Sequence, residues 1–203
     1  MSCSYSEQAI NETIAFHGHN CPGLAIGIRV AEYAKNHFSN TPSAALVCVT
    51  ETDMCGVDAI QYLTGCTYGK GNLIHRDYGK TAFSFYDRDK NTGIRLLLKP
   101  ESRGERYGEM AEMMAKKVAG TLSEEESLKL TELRSIMENR LLTLPLEDLF
   151  SVEELENEPP RPPRILQSLT CEACSEQTME SRTRRFGGKT LCIPCYRNVE
   201  QKI

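Results

Sequence analysis

Two Cys-x-x-Cys pairs, Cys171-Glu172-Ala173-Cys174 and Cys192-Ile193-Pro194-Cys195, stand seventeen residues apart in the last part of the chain. Each pair sets two thiolates on one side of a tight turn. Two such turns supply the four soft ligands of a tetrahedral zinc ion. A segment of about forty residues buries too little apolar surface to fold unaided, so the ion supplies its folding free energy. Phe186-Gly187-Gly188-Lys189 between the pairs is a hairpin turn signal. The spacing therefore predicts a zinc ribbon with Cys171, Cys174, Cys192 and Cys195 as ligands.

The rest of the 203 residues suffices for one larger domain. A net charge of −4 carries no overall basic signature of a nucleic-acid binder. The opening Met1-Ser2-Cys3-Ser4-Tyr5-Ser6-Glu7 lacks the apolar region of a signal peptide, and no apolar run reaches the roughly 18 residues of a membrane span. The expectation is a cytoplasmic chain with no membrane association, in which regularly spaced cysteines are metal ligands rather than disulfides.

A second concentration of ligands lies at Phe16-His17-Gly18-His19-Asn20-Cys21-Pro22-Gly23. Gly18 frees the backbone between two imidazoles, and Asn20 with Pro22-Gly23 argues for a turn. Pro22 suits the first position of the following helix, which leaves Cys21 at a helix N-terminus, where the macrodipole favours a thiolate. Cys55-Gly56-Val57-Asp58 begins a further helix directly after the apolar run 45–50. His17, His19, Cys21 and Cys55 are the expected core metal set, zinc or a softer ion. Cys21, Cys55 and Asp58 are also the candidates for nucleophile and base if the pocket is catalytic. Cys66 stands about 15 Å along the same helix from Cys55, too far to share an ion. His75 joins the list of candidates by residue type. The loop Gly65–Gly71 lacks the Ser or Thr of a P-loop, which leaves Lys70 as a candidate contact for an anionic ligand and nothing more.

Apolar periodicity predicts helices from Ser6 to Ala15, 24–38, 55–65 and 103–119, with another from the Ser123–Glu126 capping box to Leu142. A buried strand is predicted at 45–50, and three strands at 73–78, 81–87 and 93–98 read as an antiparallel meander. The acidic, proline-rich run 153–164 reads as an extended linker. The fold class is α+β: helices packed on a mixed or antiparallel sheet (1–155), a linker (156–168) and a small zinc ribbon (169–203).

The order Phe16–Arg29, Cys55–Gln61, Thr64–Leu73 and Asp77–Phe83 resembles the FmdE-like family, which takes its name from formylmethanofuran dehydrogenase. The resemblance implies an α+β core forming an intertwined homodimer, with a C-terminal zinc finger in some members. It does not carry over the activity in the family's name, since no cysteine run of ferredoxin spacing is present. The ribbon also resembles the fingers of DksA/TraR-type regulators. Together these imply a dimeric metal-binding accessory or sensor protein whose ribbon docks a protein partner. The rivals are a metal- or thiolate-dependent enzyme using the same pocket, and a nucleic-acid regulator acting through Arg182, Arg184, Arg185, Lys189 and Arg197.

Overall fold

The computed structural model describes residues 3–156 and 158–199. Residues 1–2, 157 and 200–203, which include the ends of the opening segment and of the expected ribbon, lie outside the described residues. The chain divides into two compact units, Met1–Pro162 and Pro163–Ile203.

The first unit begins with α1 (Glu7–His17), capped by the Ser6 hydroxyl accepting from the Ala9 N–H, followed by α2 (Pro22–His37). Strand β1 (Leu46–Thr50) leads into α3 (Gly56–Thr64), which Gly65 ends in the left-handed conformation. Strands β2 (Leu73–His75), β3 (Ala82–Asp87) and β4 (Thr92–Leu98) follow. Then come α4 (Tyr107–Val118), α5 (Glu124–Thr143), the short α6 (Leu146–Leu149) and β5 (Phe150–Leu155). The Ser123–Glu126 capping box at the head of α5 is fully formed.

The sheet order is β2-β1-β3-β4-β5. It corrects the sequence reading in two places. First, β2 does not join a meander with β3; it pairs in parallel with the far side of β1, Cys48 opposite Leu73. The connection through α3 is a strand–helix–strand crossover, which the short strand of three residues concealed. Second, part of the expected linker is β5, antiparallel to β4 with Leu98 opposite Phe150. Its exposed Ser151–Glu154 side chains are those of an edge strand, so acidic composition masked the strand. The segment beyond β5 also stays with the first unit: Arg88 donates to the carbonyls of Pro160 and Arg161.

Alternation along the strands sends Leu46, Cys48, Phe83, Phe85, Ile94, Leu96 and Leu98 to one face, where Ile26, Val30, Ile60, Met137 and Leu141 of the helices cover them. β1 is buried along its whole length. Its last residue therefore delivers the chain, already inside the molecule, to the start of α3. In the second unit, β6 (Ser168–Thr170) pairs with β7 (Gln177–Met179), and β8 (Thr183–Phe186) pairs with β9 (Lys189–Cys192), ahead of α7 (Ile193–Arg197). Among the described residues no helix is long and apolar enough to cross a membrane.

Candidate metal centres

Helices α2 and α3 cross with almost no space between their backbones. A Cβ added at Gly27 would lie 2.1 Å from the Gly56 carbonyl oxygen, and one at Gly56 would lie 2.8 Å from the Gly23 oxygen. Only glycine permits this contact. Because Cys21 caps α2 and Cys55 caps α3, the crossing sets the two thiols side by side. Cys21 is buried, and its Sγ accepts from the Leu24 N–H at 3.4 Å.

The imidazoles arrive from the other direction. Gly18 ends α1 with φ 91° and its N–H bonded to the Ile14 carbonyl, which turns the chain sharply between the two histidines. Their rings lie 4.3 Å apart, centroid to centroid. Asn20 ties the turn to α5 by donating to Glu138 at 2.8 Å. One ligand atom each from His17, His19, Cys21 and Cys55 falls within 4.8 Å of the others.

The donor set passes a chemical test of fit. His17 Nδ1 lies 2.7 Å from Asp58 Oδ2, and Asp58 Oδ1 accepts from Gln61. A carboxylate on Nδ1 holds the proton there and leaves Nε2 as a bare lone pair. That Nε2 is buried and has no hydrogen-bond partner. A buried acceptor left unpaired costs about 1–3 kcal/mol, and a cation among the four donors removes the cost. Two nitrogens and two sulfurs suit zinc, whose bonds of about 2.0–2.3 Å place tetrahedral donors nearer together than the span here, a difference that small side-chain rotations close. The cysteine environment departs from the sequence expectation: burial raises the Cys21 thiol, and the N–H of Leu24 only partly offsets it. Helix position alone does not make this thiol a thiolate, whereas metal ligation displaces its proton.

A cleft of about 410 Å³ reaches the cluster at His17 and Cys55 and continues past Asp53, Asp58 and Tyr68 to His75. Asp58, a candidate base, is engaged with His17. Cys66 is fully buried in the sheet–helix core, its thiol donating to the Leu46 carbonyl at 3.6 Å and raised by burial, and it is not part of the cluster. Lys70 is exposed beside the end of α3, its Nζ 3.5 Å from where a Gly65 Cβ would be. Gly23, Gly27 and Gly56 are functional positions that the sequence reading does not single out. The i, i+4 glycine pair on α2 is the signal that could have found them, since it marks close helix approach.

In the second unit the Sγ atoms of Cys171, Cys174, Cys192 and Cys195 likewise lie within 4.8 Å of one another. The Cys192 N–H donates to Cys171 Sγ at 3.3 Å, and Cys174 and Cys192 Sγ are 3.9 Å apart. Backbone N–H groups of Cys192, Cys174 and Ala173 bring the Cys171 thiol down to about 6. Gly187 and Gly188, at φ 56° and 80°, make the tight turn between β8 and β9. Around the sulfurs the apolar packing is slight: Leu191 is buried, and Phe186, Tyr196 and Val199 are partly so. The basic side chains Arg182, Arg184, Arg185, Lys189 and Arg197 are exposed.

Residues 16–151 match the family described as FmdE, molybdenum formylmethanofuran dehydrogenase operon, and residues 164–201 match the prokaryotic dksA/traR C4-type zinc finger. A probable S-adenosyl-L-methionine-binding protein of Archaeoglobus fulgidus is 30% identical over 188 residues, covering 89% of this chain. This chain spans about half the length of that relative, 50%. A crystal structure of a tungsten formylmethanofuran dehydrogenase (FmdE)-like protein from Syntrophus aciditrophicus is 27% identical with a TM-score of 0.64. The match covers 95% of this chain and 93% of that one.

Proposed function

Since the chain belongs to the FmdE family and ends in a four-cysteine zinc finger, we propose that it is a dimeric metal-binding accessory or sensor protein. In this reading His17, His19, Cys21 and Cys55 hold a transition metal, zinc by donor chemistry, and the finger docks a protein partner. The observation that carries it is the buried, unpartnered Nε2 of His17, with Asp58 fixing the opposite nitrogen. Core histidines are ordinarily satisfied on both sides. Four protein donors make a closed set, which suits a structural or sensing ion better than a catalytic one, where a position stays open.

Metal analysis of the purified protein tests the reading. Two metal ions per chain are expected, one of them lost in His17→Ala. A single ion in both proteins, removed only by replacing Cys171, would leave the core cluster without its proposed role. The dimer is supported by apolar side chains left outside on the α4–α5 hairpin, among them Met114, Val118, Leu128 and Ile136. Light scattering that gives a monomer mass at micromolar concentration would remove it. Docking through the finger is supported by its exposed arginines, and Arg184→Ala/Arg185→Ala should weaken a partner complex without releasing zinc.

A second reading is favoured by the cleft itself. Its lining includes Asp53 and Asp58 and neither lysine nor arginine, an environment that suits a cationic ligand. The Archaeoglobus relative is described as a probable S-adenosyl-L-methionine-binding protein, and that ligand carries a sulfonium. Calorimetric titration with S-adenosyl-L-methionine, wild type against Asp53→Asn, decides whether this chain shares the ligand.

A further inference from the structure

The four core donors are held very unequally. Asp58 locks His17 from behind, and its ligand nitrogen is buried. Cys21 is 3% exposed, seated at the head of α2 with a backbone N–H on its sulfur. Cys55 is fixed by the glycine crossing, its Cβ 3.3 Å from where a Cβ on Gly23 would lie. His19 has none of this support. It is exposed, and among the described residues neither ring nitrogen has a hydrogen-bond partner. It follows Gly18, around which a Cβ would meet nothing within 4 Å. Its one ring contact is with His17, itself a ligand candidate.

We propose that His19 is a detachable ligand: three residues retain the ion, while His19 swings out on the Gly18 hinge and a small thiol or imidazole from solution takes its place. The inference rests on the core metal reading above. In the exchange with a thiol, the bond from metal to His19 nitrogen breaks and a metal–sulfur bond forms. The thiol proton passes to the released His19 imidazole. No electrons change hands. The site would thereby report on, or carry its ion to, soft-donor molecules without unfolding, because the fixed donors sit on packed helices.

The test uses the full-length protein with zinc in the finger and cobalt(II) in the core, read by its visible spectrum. Adding 2-mercaptoethanol to wild type should increase thiolate-to-cobalt absorption saturably while the cobalt stays bound. His19→Ala should retain core cobalt within about tenfold of wild-type affinity, and His17→Ala should lose about 100-fold or more, above the range for disturbing only a ligand's supporting hydrogen bond. Free imidazole should restore the wild-type spectrum to His19→Ala and not to His17→Ala. Equal metal loss in the two variants, or a thiol that strips cobalt without first altering its spectrum, would overturn the inference and leave the metal site standing. A wild-type core that takes up no cobalt would sink both.

Discussion

The two ligand clusters reach the same compactness by opposite routes. In the core, four donors come from three separate stretches: the end of α1, the turn after it and the start of α3. They meet because helices packed over a five-stranded sheet bring them together, with Leu24 and Ile28 of α2 and Ala59 of α3 buried around them. In the ribbon, four sulfurs come from two knuckles whose local turns position them, around a core of little more than Leu191 and its neighbours. The first cluster is a product of the fold. The second makes its fold. Metal binding should accordingly be separable from folding in one unit and inseparable in the other.

Removing metal makes the largest difference. Structural zinc in small fingers is worth about 10–16 kcal/mol of apparent binding free energy at neutral pH, far more than the ribbon's apolar burial can replace. Chelation should unfold residues 163–199 and open the Arg182, Arg184 and Arg185 bonds to trypsin. Amide protection in β1, β3 and β4 should persist. Loss of protection in the sheet on chelation would make the core site structural too, and a ribbon that stays protected would reverse the comparison.

The next effect attacks the core from within its packing. Gly27→Ala puts a Cβ into the Gly56 carbonyl and must part α2 from α3. Overpacking of this kind costs roughly 1–3 kcal/mol or more, and it separates Cys21 from Cys55. Scanning calorimetry should show a lower Tm for the core, and metal analysis should show one ion lost with the finger's zinc retained. Gly69→Ala, whose added Cβ meets nothing within 4 Å, is the control. A Gly27→Ala protein with full core metal would detach the glycine crossing from the site.

A smaller change sharpens the comparison without disturbing the backbone. Asp58→Asn keeps the side chain's shape but no longer holds the proton on His17 Nδ1. Replacing such an outer partner typically costs 10–100-fold in metal affinity, about 1.4–2.7 kcal/mol. Competition with a chromogenic chelator should show that weakening at the core and no change at the finger. Equal affinity in the variant would mean that the hydrogen bond at 2.7 Å orients nothing of consequence.

The same contrast governs what the sequence disclosed. Local features were readable: the Ser123–Glu126 box, Gly65 ending α3, Pro22 starting α2 and the paired ribbon knuckles are each encoded within a few residues. The proximity of His17, His19 and Cys21 is likewise local. What lies beyond is set by packing over distance. Nothing near Asp58 announces that it will meet a histidine 41 residues earlier. The parallel pairing of β2 depends on which side of β1 remains open, and three residues carry too little pattern to show it. β5 was obscured because an edge strand is free to be acidic on its exposed residues. The glycine crossing was legible as spacing, but its consequence for Cys55 required knowing which helix would lie against it.

Acid provides the gentlest way to separate the units. Glu51, at the end of β1, is buried and receives two hydrogen bonds from Arg95, at 2.6 and 2.9 Å. Those bonds outweigh burial and hold its carboxyl below the usual range, with Lys80 and Arg76 adding smaller pulls in the same direction. A depressed carboxylate contributes stability that is fully present above the unfolded value of about 4.3 and is lost as pH falls through the folded value. Glu51→Gln keeps the volume but gives up the charged pairing, so the core should be less stable at neutral pH by about 1 kcal/mol, the low end for a charged hydrogen bond. Its stability should also fall less steeply than wild type below pH of about 4.3. The ribbon has no ion pair among its described residues, and its acid sensitivity is release of zinc as the thiolates protonate. The pH of zinc release should therefore be the same in variant and wild type. Urea unfolding across that pH range, followed alongside zinc release, tests both halves: an unchanged acid limb removes Glu51 as the core's acid sensor, and a shifted zinc release would mean that the two units do not respond to acid independently.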